Sequence, residues 1–144
     1  MSPDDLLSFP PDGSLLAKIR AKVRDLAGQH GAEPTVCDNL ALVVDELVNN
    51  AIEHGASYRK HGQDLGVRIG PHGERLMIEF FDPEMPRDQV EDLAAALADT
   101  ANGMPSLDSE RGRGLFLLSV YLEDLLAEVA TQGGLRLVGN IKRK

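Results

Sequence analysis

The chain has no tryptophan, one cysteine, and only four phenylalanines and two tyrosines. One thiol, Cys37, excludes an internal disulfide, and no Cys/His group has zinc spacing. Cys37 falls on the apolar side of its helix and reads as a small buried hydrophobe. With so few rings, the core must be aliphatic, built from Leu, Val, Ile and Ala. No apolar run reaches the ~20 residues of a membrane span. The start, Met-Ser-Pro-Asp-Asp, lacks the basic flank and apolar stretch of a signal peptide. A cytoplasmic protein without a membrane partner is therefore expected. Positive charge is also scarce: 15 basic against 23 acidic residues leave a formal charge of −8. That sign repels a phosphate backbone and argues against direct nucleic-acid binding. A nucleotide is not excluded, because a few backbone N–H groups and one cation can hold a triphosphate.

What is present suffices for a core without staples: 42% of 144 residues are hydrophobic. The length fits one domain over residues 1–144, since domains commonly hold ~100–150 residues. Leu6 to Pro10 reads as a short edge strand stopped by Pro10 and Pro11. Leu15, Leu16, Ile19, Val23, Leu26 and Ala27 recur at helical spacing, with Gly28 or Gly31 as the stop. A second helix starts at Pro34-Thr35 and ends at Gly55. Leu65–Ile69 and Leu76–Asp82 read as strands joined by a turn at Gly70-Pro71-His72-Gly73. A third helix covers Arg87 to Ala98, and residues 99–114 read as a long loop, a length usually reserved for function. Leu115–Leu122 resumes a helix, and strands at Leu125–Thr131 and Leu135–Lys142 close the chain around a Gly133-Gly134 turn. Strands in pairs, rather than alternating with helices, imply an α+β fold. The expected form is a two-layer sandwich, a mostly antiparallel mixed sheet with helices packed on one face.

The second helix carries the chemistry. Val36, Leu40, Val43, Val44, Leu47, Val48 and Ala51 share one broad face. Asn39, Glu46, Asn50 and Glu53 share the opposite one, with Asp45 and Asn49 beside them and Leu42 as an apolar interruption. A polar stripe is ordinarily just the wet side of a helix. This one has no Lys or Arg from Val36 through Tyr58, so it lacks the i,i+4 ion pairs of a solvated face. Glu46 and Asn50, one turn apart, offer a carboxylate and an amide oxygen suited to a magnesium ion that keeps most of its waters. A carboxylate there could also take a proton from an attacking hydroxyl.

The string Glu46-Leu47-Val48-Asn49-Asn50-Ala51-Ile52-Glu53-His54-Gly55 resembles the N box of the GHKL ATPase superfamily, the fold of histidine-kinase catalytic domains. Within it, the chain is similar to the stand-alone anti-sigma-factor serine kinases. The resemblance extends from Leu7-Ser8-Phe9-Pro10 through the strand ending at Asp82 to Gly112-Arg113-Gly114-Leu115. It implies ATP and magnesium as cofactors, with Glu46 as catalytic base and Asn50 as the magnesium ligand. It also implies that Asp82 accepts a hydrogen bond from the adenine amino group. Gly112, Gly114 and the Leu115 helix N-terminus would face the phosphates, Arg111 and Arg113 would reach the γ-phosphate, and residues 99–114 would form a lid. The family's next motif, Asp-x-Gly-x-Gly, is here Asp82-Pro83-Glu84-Met85-Pro86, with both glycines replaced by stiffer residues.

The function implied is an ATP-dependent protein serine kinase acting on a STAS-type anti-sigma-factor antagonist, with a sigma factor as a further partner and a homodimer as its assembly. A partner-binding module of the same fold without chemistry, nucleotide-gated or even nucleotide-free, is the alternative that the altered Asp82–Pro86 segment favours. An ATP-hydrolysing domain of a larger histidine kinase is a third.

Overall fold

The computed structural model describes the backbone of residues 6–102 and 110–144, and the side chains of those residues except 99–102 and 110–113. Strand β1, Leu6–Phe9, leads through Pro10 into a 3-10 turn whose Ser14 N–H is capped by Asp12. Helix α1, Leu16–Gln29, buries Ile19, Val23, Leu26 and Ala27, the stripe that its apolar spacing predicts. Gly31, at φ +89°, turns the chain out of it in a conformation that glycine adopts without strain. Helix α2, Pro34–Gly55, opens with proline in its first turn, where no N–H is missed. Its buried side is the predicted one, from Val36 through Ala51, with Cys37 among it.

Strands β2, Leu65–His72, and β3, Arg75–Asp82, form a hairpin. Helices α3, Arg87–Asn102, and α4, Glu110–Tyr121, precede the closing hairpin of β4, Glu123–Val129, and β5, Leu135–Lys142. The sheet order is β1-β2-β3-β5-β4, and each pairing among the described residues is antiparallel. Inward residues alternate along each strand: Leu65, Val67 and Ile69, then Leu76, Ile78 and Phe80, then Leu135, Leu137 and Ile141. They form one aliphatic core with the buried faces of all four helices. This is the predicted α+β sandwich, with its helices on one face of the sheet.

The outward face carries a line of ion pairs. Glu79 on β3, itself buried, takes Arg136 of β5 at 2.8 Å and faces Arg68 of β2 at 3.7 Å; Arg136 also holds Glu128 of β4 at 2.7 Å.

Several boundaries differ from the sequence expectation; β4, for one, runs Glu123–Val129 rather than Leu125–Thr131. The first hairpin turns at Gly73-Glu74, not at residues 70–73, and Pro71 lies inside the ladder opposite Leu76. Proline is tolerated there because it lies past the Leu6↔Arg68 pairing that ends the described contact with β1. The expected loop over 99–114 also contracts. Alanine-rich α3 runs on to Asn102, as strong helix formers allow, and α4 is already helical at Glu110. Gly112-Arg113-Gly114 therefore lies in the first turns of α4 rather than in a loop before Leu115. Residues 103–109 of the expected lid fall outside the described residues.

Candidate active site

Helix α4 runs antiparallel to α2. Its start meets the middle of α2, while Val120 and Tyr121 near its end share a cavity with Val36 and Asn39 near the start of α2. Gly114 makes that crossing possible. A Cβ there would overlap Glu46 Oε1 and come 3.2 Å from Asn50 Nδ2. Each glycine in a helix costs roughly 0.5–1 kcal/mol relative to alanine. Here the absence of a side chain lets one helix approach the polar groups of another. Glu46 and Asn50, both half-buried, thus stand against the first turns of α4, with Leu115 buried just beyond. The side chains of Arg111 and Arg113 lie outside those described. The neighbouring polar residues serve elsewhere: Asp45 holds Arg20 of α1 at 2.7 Å and Asp38 holds Arg24 at 3.1 Å.

A small apolar cavity lies between α2, the sheet, α3 and α4. It measures about 40 Å³, is lined by Leu47, Ala51, Phe80, Met85, Leu115 and Leu137, and has Asn50, His54 and Gln89 as its polar edge. That is room for about one water, whose share of liquid volume is ≈ 30 Å³, against the ~300–1,000 Å³ of most ligand pockets.

Asp82, at the end of β3, has no exposed surface. Its Oδ1 accepts from Arg59 Nη1 at 3.1 Å and the Glu84 N–H at 3.2 Å; its Oδ2 accepts from Tyr58 Oη at 2.7 Å and Arg59 Nη2 at 2.9 Å. A carboxylate offers about four acceptor positions, and here all four are taken. Glu84 stands where the resembled motif has its first glycine. It accepts from the backbone N–H groups of Lys60, His61 and Gln63 and from Arg59 Nη1. Burial works against its charge, but these donors prevail and hold the Glu84 carboxyl below its usual range. Burial and the bond to Asp82 push the Tyr58 phenol up. For Arg59, burial opposes the charge, yet the Asp82 carboxylate outweighs it and raises the guanidinium further.

Tyr58, Arg59 and the binding role of Glu84 were not anticipated. One signal was available: Arg59 is the first cation after the uncharged-or-acidic run of α2, and Glu84 replaces a glycine opposite it.

The structure thus holds three segments that carry the GHKL resemblance: the N-box-like stripe of α2, the glycines of α4 laid against it, and the buried aspartate that ends β3. The chain belongs to the histidine kinase-like ATPase domain family, which it matches over residues 9–138. Among solved structures, a chain of the SiaB-SiaC complex from Pseudomonas aeruginosa is similar to it at a TM-score of 0.74 and 19% identity. The match covers 94% of this chain and 88% of that one, and at such identity the likeness is one of fold. Comparison with curated proteins found no match.

The family implies ATP as the ligand. The polar stripe is chemically suited to it, since Asn50 and Glu46 supply hard oxygens; the apolar cavity, with room for about one water, must widen before its walls could receive a base. Among the described residues no three His, Cys, Asp or Glu gather into a metal cage. A magnesium ion here would be one shared between Asn50, waters and phosphate oxygens. Asp82, expected from the resemblance to recognise the base, does not fit that role as it stands, because it has no acceptor position left for an adenine amino group. No helix among the described residues is long and apolar enough to cross a membrane.

Proposed function

We propose that this chain is an ATP-dependent protein serine kinase that modifies a small regulatory partner of the STAS-type anti-sigma-antagonist class, working as one domain over residues 1–144. The observation that carries this reading is the approach of Gly114 to Glu46 and Asn50, which sets a carboxylate and an amide against the first turns of a helix. Unpaired N–H groups in such turns attract anions. ATP, when bound, supplies the transferable phosphoryl group and, with magnesium, the charge to be held. Asn50 is the magnesium ligand in this reading. Glu46 accepts the proton of the partner's serine hydroxyl; Gly112, in the first turn of α4, presents a backbone N–H group, while Gly114 and Leu115, further into the helix, line the site against α2. Arg111 and Arg113 are the cations of the site. The similar solved chain comes from a complex of two proteins, which supports a protein partner here; a sigma factor and a second copy of the chain are further partners in this reading.

The test is transfer of label from ATP to purified STAS-type proteins, with phosphoserine located by mass spectrometry. Glu46→Gln is expected to lower transfer by about 10²–10⁴-fold, the usual worth of a general base, while nucleotide binding persists. Undiminished transfer in that variant would remove Glu46 from the role of base. The saturated Asp82 favours a second reading, a nucleotide-independent module that holds the partner without chemistry. Partner binding by the wild-type chain that is indifferent to ATP, with no transfer to any STAS-type protein, would select it.

A further inference from the structure

We infer that Arg59 is an intramolecular occupant of the base-recognition site: it holds the Asp82 carboxylate that a nucleotide base would engage, so the chain admits ATP only after Arg59 leaves. This rests on the ATP-dependent reading above.

The guanidinium is committed, not passing. Its Nη1 donates to Asp82 Oδ1 and Glu84 Oε2, and its Nη2 to Asp82 Oδ2 and to the Ala51 carbonyl at 3.1 Å. Four of the five N–H groups that arginine possesses are spent inside the protein, and neither Asp82 oxygen has a position to spare. Such a planar, bidentate pairing is the geometry that arginine makes best with a carboxylate. Tyr58 reinforces it from the side, with Arg59 Cζ 5.3 Å from the centre of its ring.

The surrounding chain is shaped to receive this side chain. Gly55, in the last turn of α2, has no atom where a Cβ would overlap Arg59 Nη2 and lie 3.0 Å from Cζ. Its backbone is outside the left-handed region, so the glycine serves the arginine and not the turn. Glu84 fastens the segment after Arg59 through the N–H groups of Lys60, His61 and Gln63. The two residues that depart from an open base site, a cation at 59 and a carboxylate at 84, are thus bonded to one another across it.

An occupant of this kind acts on affinity through population. The apparent dissociation constant is the intrinsic one divided by the fraction of molecules whose site is open. Two substitutions raise that fraction by different means. Arg59→Gln removes the bidentate charge but keeps a donor near Asp82. Gly55→Ala keeps every charge and displaces the guanidinium by bulk, at the far end of a flexible side chain.

The experiment is calorimetric titration of the wild type and both variants with magnesium-ATP. Site-resolved mass spectrometry of arginines modified by a dicarbonyl reagent, with and without nucleotide, accompanies it. Both variants are expected to bind ATP at least about tenfold more tightly than wild type, and ATP is expected to increase labelling of Arg59 in the wild-type chain. Equal affinity in all three proteins, or protection of Arg59 by ATP, overturns the inference and leaves the nucleotide reading standing. Absence of binding at millimolar ATP in all three overturns both.

Discussion

Replacing Asp82 with alanine is expected to lower the unfolding free energy by about 3–5 kcal/mol, measured by urea denaturation without nucleotide. Asp82 is fully enclosed, and the Arg59 side chain is only 11% exposed. Removing the carboxylate strands a buried guanidinium, together with the Tyr58 hydroxyl and the Glu84 N–H. The cost arises from groups left without partners, not from the net worth of the pair, which in buried settings is often small. That distinction supplies a control. Asp82→Leu combined with Arg59→Met removes both charges and should recover most of the loss. An aspartate kept only to greet a ligand would behave differently, since its removal would leave the ligand-free protein nearly as stable. A loss below about 1 kcal/mol in Asp82→Ala, the range of an exposed pair, would therefore show that the closed network does not form in solution.

Gly134→Ala is expected to cost about 2–4 kcal/mol and to lower the melting temperature by on the order of 10 °C. Gly134 sits at φ +82°, and a Cβ there would lie 2.5 Å from both the Asp82 carbonyl oxygen and Pro83 Cα. Those are backbone atoms at the end of a central strand, so they cannot swing aside. Gly133, next in the same turn, is the natural comparison. Its φ is +94°, yet a Cβ would meet nothing within 4 Å. Gly133→Ala should therefore cost only the left-handed backbone penalty of roughly 1–2 kcal/mol. Equal melting points for the two variants would mean that the clash plays no part. Because Gly134 presses on Asp82 and Pro83, its replacement should also perturb the Arg59 network, visible as increased dicarbonyl labelling of Arg59.

Much of the architecture was legible in the sequence because it rests on local period. The apolar stripes of α1 and α2 and the alternation along β3 and β5 need only the 3.6 and 2.0 repeats of helix and strand. The errors fell where local signals compete with tertiary ones. Gly-Pro-His-Gly reads as a turn, yet the ladder carries β2 through Pro71 because the described edge beside it has no neighbour to satisfy. Gly112 and Gly114 read as loop residues, yet Gly114 is helical because its bareness lets α4 lie on α2. For the candidate site, α2 periodicity placed Glu46 and Asn50 on one stripe. Nothing periodic joins residue 59 to residues 82 and 84. That contact spans more than twenty positions and depends on the chain folding back after Gly55. Only the substitution of a charge for a glycine hinted at it.

The outer face of the sheet carries information that the inner face lacks. An alternating aliphatic pattern distinguishes a strand from its neighbour one residue out of step, but a slip of two residues restores every buried side chain to the core. The row Arg68, Glu79, Arg136, Glu128 crosses four strands in alternating sign. Sliding β3 by two residues would set Met77 or Phe81 where Glu79 stands and leave two arginines without their shared carboxylate. Hydrophobicity thus chooses which side of each strand is wet, and this line of charge chooses among the alignments that hydrophobicity treats as equal.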